Sequence, residues 1–246
     1  MIHLLSIEWL KLKRLITLRV ILIVYALLLP LIFYSLSLMP SYDMFYDNNI
    51  YKFPDVYHYV TYISSFFNLL IGVIIVVFTC NEIKYKTQRQ NLIDGLSKKD
   101  LILSKFYVVM ALSVLITLYT FLIALIFGLC NGSNDFLNGI RYIAFYQLST
   151  FGYFIFAFFL SNLLKNPALS IVFYLLSTFL EGIAGLVAKD YSQFFPLSTL
   201  SNLIPIPVLP DGFQYAMTEV QTASLGLFYA LTFMFLSYYI LSKRDV

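Results

Sequence analysis

The chain has 246 residues, of which 60% are hydrophobic, 18% aromatic and only 12% charged. A soluble domain carries about 25% charged residues, so this composition excludes a disordered chain, a disulfide-stapled secreted module and a typical soluble enzyme. The net charge of +3 decides little, but long unbroken apolar runs, rather than short segments of alternating polarity, point to an all-α integral membrane protein and not to a barrel.

The first element expected is a helix over residues 1–16. Ile2, Leu5, Trp9, Leu12 and Ile16 recur at steps of 3 and 4, which places them on one helical face. Glu8 intrudes at the edge of that arc. Trp9 and the neighbouring basic residues suit a helix lying in the inner membrane interface; a cytoplasmic extension of the first span is the alternative. Apolar runs near the roughly 20-residue length of a spanning helix follow at residues 20–39, 60–80, 106–130, 142–164, 167–187 and 223–241. The first is too long for a cleavable signal, and no small-residue cleavage site follows it.

With the N-terminus inside, 13 of the 16 Lys and Arg residues fall in inner segments and only Lys52, Arg141 and Lys189 in outer ones. This split predicts cytoplasmic termini. It also places Cys80 and Cys130 on opposite sides, where no disulfide can join them. The outer segment 40–59 carries Tyr42, Tyr46, Tyr51, Tyr57 and Tyr59, which read as an interfacial aromatic belt. The outer stretch 188–222 contains Pro196, Pro205, Pro207 and Pro210 among apolar residues. Such proline density forbids one regular helix, so short helices re-entering the outer leaflet and buried against protein are expected.

Chemistry-bearing patterns are scarce. His3 belongs to the inner N-terminus and His58 to an outer loop, so they share no site, and no His/Cys/Asp cluster has metal-ligand spacing. The phosphate-binding pattern G-x-x-x-x-G-K-[ST] is absent. Two polar residues inside the spans are candidates for a pathway. Glu181, about 21 Å along the fifth span and followed by Gly182 and Gly185, reads either as lining a helix break in a transport pathway or as a snorkelling carboxylate. Asn68, about 12 Å into the second span, is a second possible pathway residue, or interhelical glue.

The most informative segment is 81–105, NEIKYKTQRQNLIDGLSKKDLILSK. Thr87 is placed to cap a short helix over 88–94 that Gly95 ends, and Leu96-Ser97 to start a second helical stretch. Glu82, Thr87, Leu96-Ser97-Lys98 and Lys105 match the first cytoplasmic loop of ABC-2 type transporter permeases, and the chain resembles that family. Lys86 stands where the family usually has Gly, and Gly95 where Pro is common. The layout also fits: an inner amphipathic helix, six spans, and an outer Pro-rich stretch after the fifth.

The resemblance implies a single transmembrane domain over 1–246 and a permease subunit of an ATP-driven exporter in the bacterial inner membrane. Two copies of a separate ABC ATPase subunit would dock on the coupling loop, through Glu82, Thr87, Gln88, Arg89, Asn91, Leu92, Leu96, Ser97 and Lys98. A second permease half, identical or homologous, would complete the pathway. ATP and magnesium would be bound by the ATPase, with no catalytic site, cofactor or metal in this chain. Membrane lipid is an expected partner and nucleic acid is not. The aromatic and aliphatic walls suggest an amphipathic or lipid-like substrate. The alternatives are a non-transporting ABC subunit with a sensor or mechanical role, a stand-alone secondary transporter, and an intramembrane enzyme.

Overall fold

The computed structural model of the chain describes residues 2–36, 50–93, 95–132, 135–207 and 217–243. Every regular element among them is helical. The order is α1 (Ile2–Arg14), α2 (Ile16–Leu36), α3 (Asp55–Ser65), α4 (Phe67–Lys84), α5 (Thr87–Ile93), α6 (Lys98–Cys130), α7 (Arg141–Leu164), α8 (Pro167–Val187), a 3-10 helix at Lys189–Phe194, α9 (Pro196–Asn202) and α10 (Glu219–Ser242). Six of these, α2, α4, α6, α7, α8 and α10, are long and apolar enough to cross a membrane. The chain is a multi-pass membrane protein. At about 1.5 Å per residue the 33 residues of α6 reach about 50 Å. That exceeds a hydrocarbon core of about 30 Å, so one end of α6 projects beyond it.

Helix ends follow the local chemistry. Asn166 caps α8 by accepting from the Ala168 and Leu169 amides, with Pro167 at the first helical position. Thr218 and Gln221 form a reciprocal capping box at α10. Lys165 takes a left-handed φ of 57° to end α7. Inside α2, Pro30 cannot donate to the carbonyl of Ala26 four residues back. Tyr119 of α6 supplies the missing donor, its hydroxyl reaching the Ala26 oxygen at 2.6 Å, as a dry environment demands.

α7 is the hub, packed against α10, α4 and α6. α8 buries only Ser170 and Tyr174, and its Phe173, Leu176, Phe179 and Leu180 face outward. Such a surface is at ease in hydrocarbon. α4 and α8 approach closely because Gly72 lacks a side chain: a Cβ there would lie 2.0 Å from the Tyr174 hydroxyl, which donates to the Asn68 carbonyl.

Several sequence expectations change. The segment before the second span is not a loop throughout: α3 occupies 55–65 and contains His58. Its ring stacks on Tyr142 at 4.3 Å and its Nε2 lies 2.8 Å from the Pro205 oxygen. The hydroxyls of Thr61 and Ser65 bond back to the carbonyls of Tyr57 and Tyr62, a pattern that bends helices, and the helix breaks at Phe66 before α4 begins. Tyr57 and Tyr59 are buried rather than part of an interfacial belt. Tyr51 donates to the Phe33 carbonyl, and Tyr42 and Tyr46 lie outside the described residues. In α1, Leu12 packs inward while Trp9 is 50% exposed, so the predicted apolar face is split. Glu8, the apparent flaw in that face, is buried.

Between α8 and α10, the 3-10 helix and α9 return to the bundle. Leu200 of α9 sits on Gly152 of α7, where a Cβ would come within 2.4 Å of it. Ser149 and Tyr153 of α7 donate to the carbonyls of Leu200 and Leu197.

Candidate functional site

The loop 81–105 lies at the end of the bundle where α4 finishes and α6 begins. Lys86 adopts a left-handed φ of 54° and turns the chain out of α4. α5 then starts at Thr87 itself, so this residue does not cap it as expected. Its hydroxyl instead donates to the Glu82 carbonyl at 3.3 Å, tying α5 to the end of α4. The stop is as predicted: Gly95 has φ +97°, and the Leu96 amide reaches back to the Asn91 carbonyl at 3.1 Å, closing a Schellman-type turn. Ser97 caps α6, accepting from the Asp100 amide and donating to the Asp100 carboxylate at 2.6 Å.

The outward side of this loop is mixed apolar and basic. Ile93 is 71% exposed, Tyr85 is also exposed, and so are Lys84, Lys86, Lys98 and Lys99. Of the residues expected to dock a partner, Ser97 and Lys98 are exposed, while Thr87, Asn91 and Leu96 are half-buried. The side chains of Arg89 and Leu92 lie outside the described residues. Two more of these residues turn inward. Gln88 is buried against the protein. Glu82 is buried as well, and its carboxylate has partners within the chain.

Those partners form an ion cluster that the sequence did not reveal. Lys105 of α6 is 1% exposed, and its ammonium lies 2.6 Å from the carboxylates of both Glu8 in α1 and Glu82 in α4. It also sits 4.7 Å from the centre of the Phe78 ring. Lys11 closes the square, 3.3 Å from Glu8 and 3.2 Å from Glu82. Burial pulls the Lys11 pKa down, but the Glu82 and Glu8 carboxylates outweigh it and hold the pKa above the ordinary lysine value. Two cations face two anions, so the cluster is neutral. A buried ion is tolerated only when its partners compensate the lost hydration. Three helices, α1, α4 and α6, are thereby pinned together at the root of α5. Glu8 in an apolar arc was the one sequence sign of this arrangement.

The two expected pathway residues are both engaged by neighbouring helices. Asn68 is wholly buried. Its Oδ1 accepts from the Tyr146 and Thr150 hydroxyls. Tyr146 connects in turn to Ser64, Tyr25 and Thr120 through hydroxyl contacts of 2.6–3.0 Å. This network stitches α2, α3, α4, α6 and α7 together. Glu181 is not at a helix break, since α8 runs unbroken through Gly182 and Gly185 to Val187. Its carboxylate accepts from the backbone amides of Leu197 and Ser198, at 3.0 and 2.9 Å, and from the Ser198 hydroxyl at 3.2 Å. It thus caps the first turn of α9 from a neighbouring helix. Arg141, at the start of α7, pairs with Glu219.

A search among curated proteins finds no match. A family profile described as ABC-2 family transporter protein matches residues 4–181, from α1 through the segment between α4 and α6 to the Glu181 turn of α8. Six apolar spanning helices and a short helix projecting between the second and third of them accord with that match, and the chain belongs to the ABC-2 family of transporter membrane proteins.

Proposed function

We propose that this chain is the permease subunit of an ATP-driven exporter and that α5 is where its separate ATPase engages. Family membership supports a permease role, with an ABC ATPase as partner in general. The observation that carries the finer reading is α5 itself: a seven-residue helix with Ile93 outward and exposed lysines around it, rooted on a buried ion cluster. An exposed isoleucine on a short projecting helix is wasted on water and useful in a partner's groove. The anchored base lets a push on α5 reach α4 and α6 rather than dissipate in a loose loop.

In this reading the α5 end faces the cytoplasm, with both termini on that side, as the Lys/Arg distribution favours. Two ATPase copies and a second permease half, identical or homologous, complete the assembly. ATP and magnesium reside in the ATPase, and this chain supplies no catalytic group. The transported molecule is amphipathic or lipid-like, in keeping with walls of aromatic and aliphatic residues.

Co-expression with the candidate ATPase tests the assignment. The wild-type chain is expected to co-purify with it. Ile93→Asp, which would carry a charge into a desolvated contact, is expected to insert normally and lose the ATPase. Undiminished recovery of an active ATPase with Ile93→Asp refutes α5 as the contact. ATP hydrolysis by the complex without movement of any lipid or amphiphile across the bilayer would favour the non-transporting role.

A further inference from the structure

The ion cluster ties in a helix that the docking surface does not need. α5 lies between α4 and α6, and one carboxylate, Glu82, suffices to pair Lys105. Yet Glu8 of α1 contacts the same ammonium at the same 2.6 Å distance. Glu8 is 3% exposed, and Lys11, one turn along α1, spans the two carboxylates. α1 packs on α6, while its Trp9 and Leu10 face outward.

We propose that Glu8 is a positioning residue for the docking helix: through Lys105 it makes α1 part of the body that carries α5, so the two helices keep a fixed distance and move together. This rests on the reading above that the ATPase engages α5. The cluster works by charge balance. Without Glu8, two ammonium groups share one carboxylate, and the excess positive charge in a dry site draws in water and separates α1 from α6. α5 then loses its fixed base. Neutralising Lys11 as well restores the balance, leaving the pair Lys105–Glu82 intact. A role in packing alone would respond to the loss of contacts and would not be repaired by a second deletion.

The test is a distance measurement on the full chain in lipid nanodiscs, without ATPase. Spin labels are placed at Lys13→Cys in α1 and Ile93→Cys in α5, with Cys130→Ser removing the exposed native cysteine; Cys80 is buried. The expected result is one narrow distance distribution, clearly broadened by Glu8→Gln and narrow again in Glu8→Gln/Lys11→Gln. A distribution unchanged by Glu8→Gln overturns the proposal, as does a double variant that remains broad. If Glu8→Gln does not accumulate, the double variant decides by the same criterion. In a second arm, unlabelled variants are assembled with the ATPase. Glu8→Gln is expected to retain the ATPase but to slow hydrolysis severalfold, and the double variant to recover. Full hydrolysis in a correctly assembled Glu8→Gln complex contradicts the proposal. If the wild-type chain binds no ATPase at all, the docking assignment fails while the distance arm still judges the role of Glu8.

Discussion

Replacing Lys105 by Met exposes the energetics of the cluster. The substitution keeps the length and apolar character of the stem and removes only the ammonium. Glu8 and Glu82, both nearly inaccessible, would keep Lys11 as their single close cation, at 3.3 and 3.2 Å. Lys11 is the more solvated of the two lysines, with 28% of its side chain exposed against 1% for Lys105. One buried carboxylate is therefore left uncompensated. Breaking a buried pair in this way typically costs about 3–5 kcal/mol. At roughly 2–4 °C per kcal/mol for a chain of this size, the midpoint of unfolding in detergent should fall by about 6–20 °C. Circular dichroism follows the whole bundle. Trp9 is the sole tryptophan and lies on α1, so its fluorescence reports that helix separately and should change at lower temperature than the helical signal. A Lys105→Met midpoint within about 2 °C of wild type would refute the idea that the cluster holds these helices.

Two further substitutions probe the opposite end and the middle of the bundle. Glu181→Gln keeps the shape of the side chain but turns a charged acceptor into an amide. Hydrogen bonds to charged groups contribute about 1.5–3 kcal/mol, so α9 should loosen, seen as faster hydrogen exchange at Leu197 and Ser198, while the bundle and ATPase binding persist; unchanged exchange there would contradict the capping role. Gly72→Ala places a methyl 2.0 Å from the Tyr174 hydroxyl. Overpacking of this kind costs about 1–3 kcal/mol. The methyl would also lie 2.5 and 2.8 Å from the Tyr174 ring carbons Cζ and Cε1, so Gly72→Ala/Tyr174→Phe should leave most of the loss in thermal stability in place. Full recovery in the double variant would mean that the hydroxyl alone makes the contact.

The spans were legible because a bilayer leaves few solutions: long apolar runs and a lopsided distribution of Lys and Arg are enough. The Gly95 stop and the start of α6 near Ser97 were legible for the same local reason, a left-handed residue and a capping hydroxyl. What escaped were matters of partnership. Glu8 looked like an imperfection in an amphipathic face, and nothing in the sequence connects it with Lys105, 97 residues away. Glu82 carried the family pattern, but the pattern does not say whether its carboxylate points toward a partner or into the protein. Pro30 announced an orphaned carbonyl at Ala26 without naming Tyr119 as its donor. Tyr57 and Tyr59 were read as surface residues because aromatic content alone does not reveal which rings α3 will bury. For Glu181, the following glycines suggested a break, yet both are accommodated in a continuous helix.

The central claim is that α5 meets an ATPase, and contact mapping in living cells tests it most directly. A photo-reactive amino acid in place of Gln90, on the exposed side of α5, is activated in intact cells, and the adducts are identified by mass spectrometry. The account predicts one dominant adduct with a protein carrying the phosphate-binding pattern G-x-x-x-x-G-K-[ST], absent when the same group replaces Leu180 on the outward face of α8. Adducts at Gln90 with lipid alone, or with a protein lacking that pattern, would contradict it.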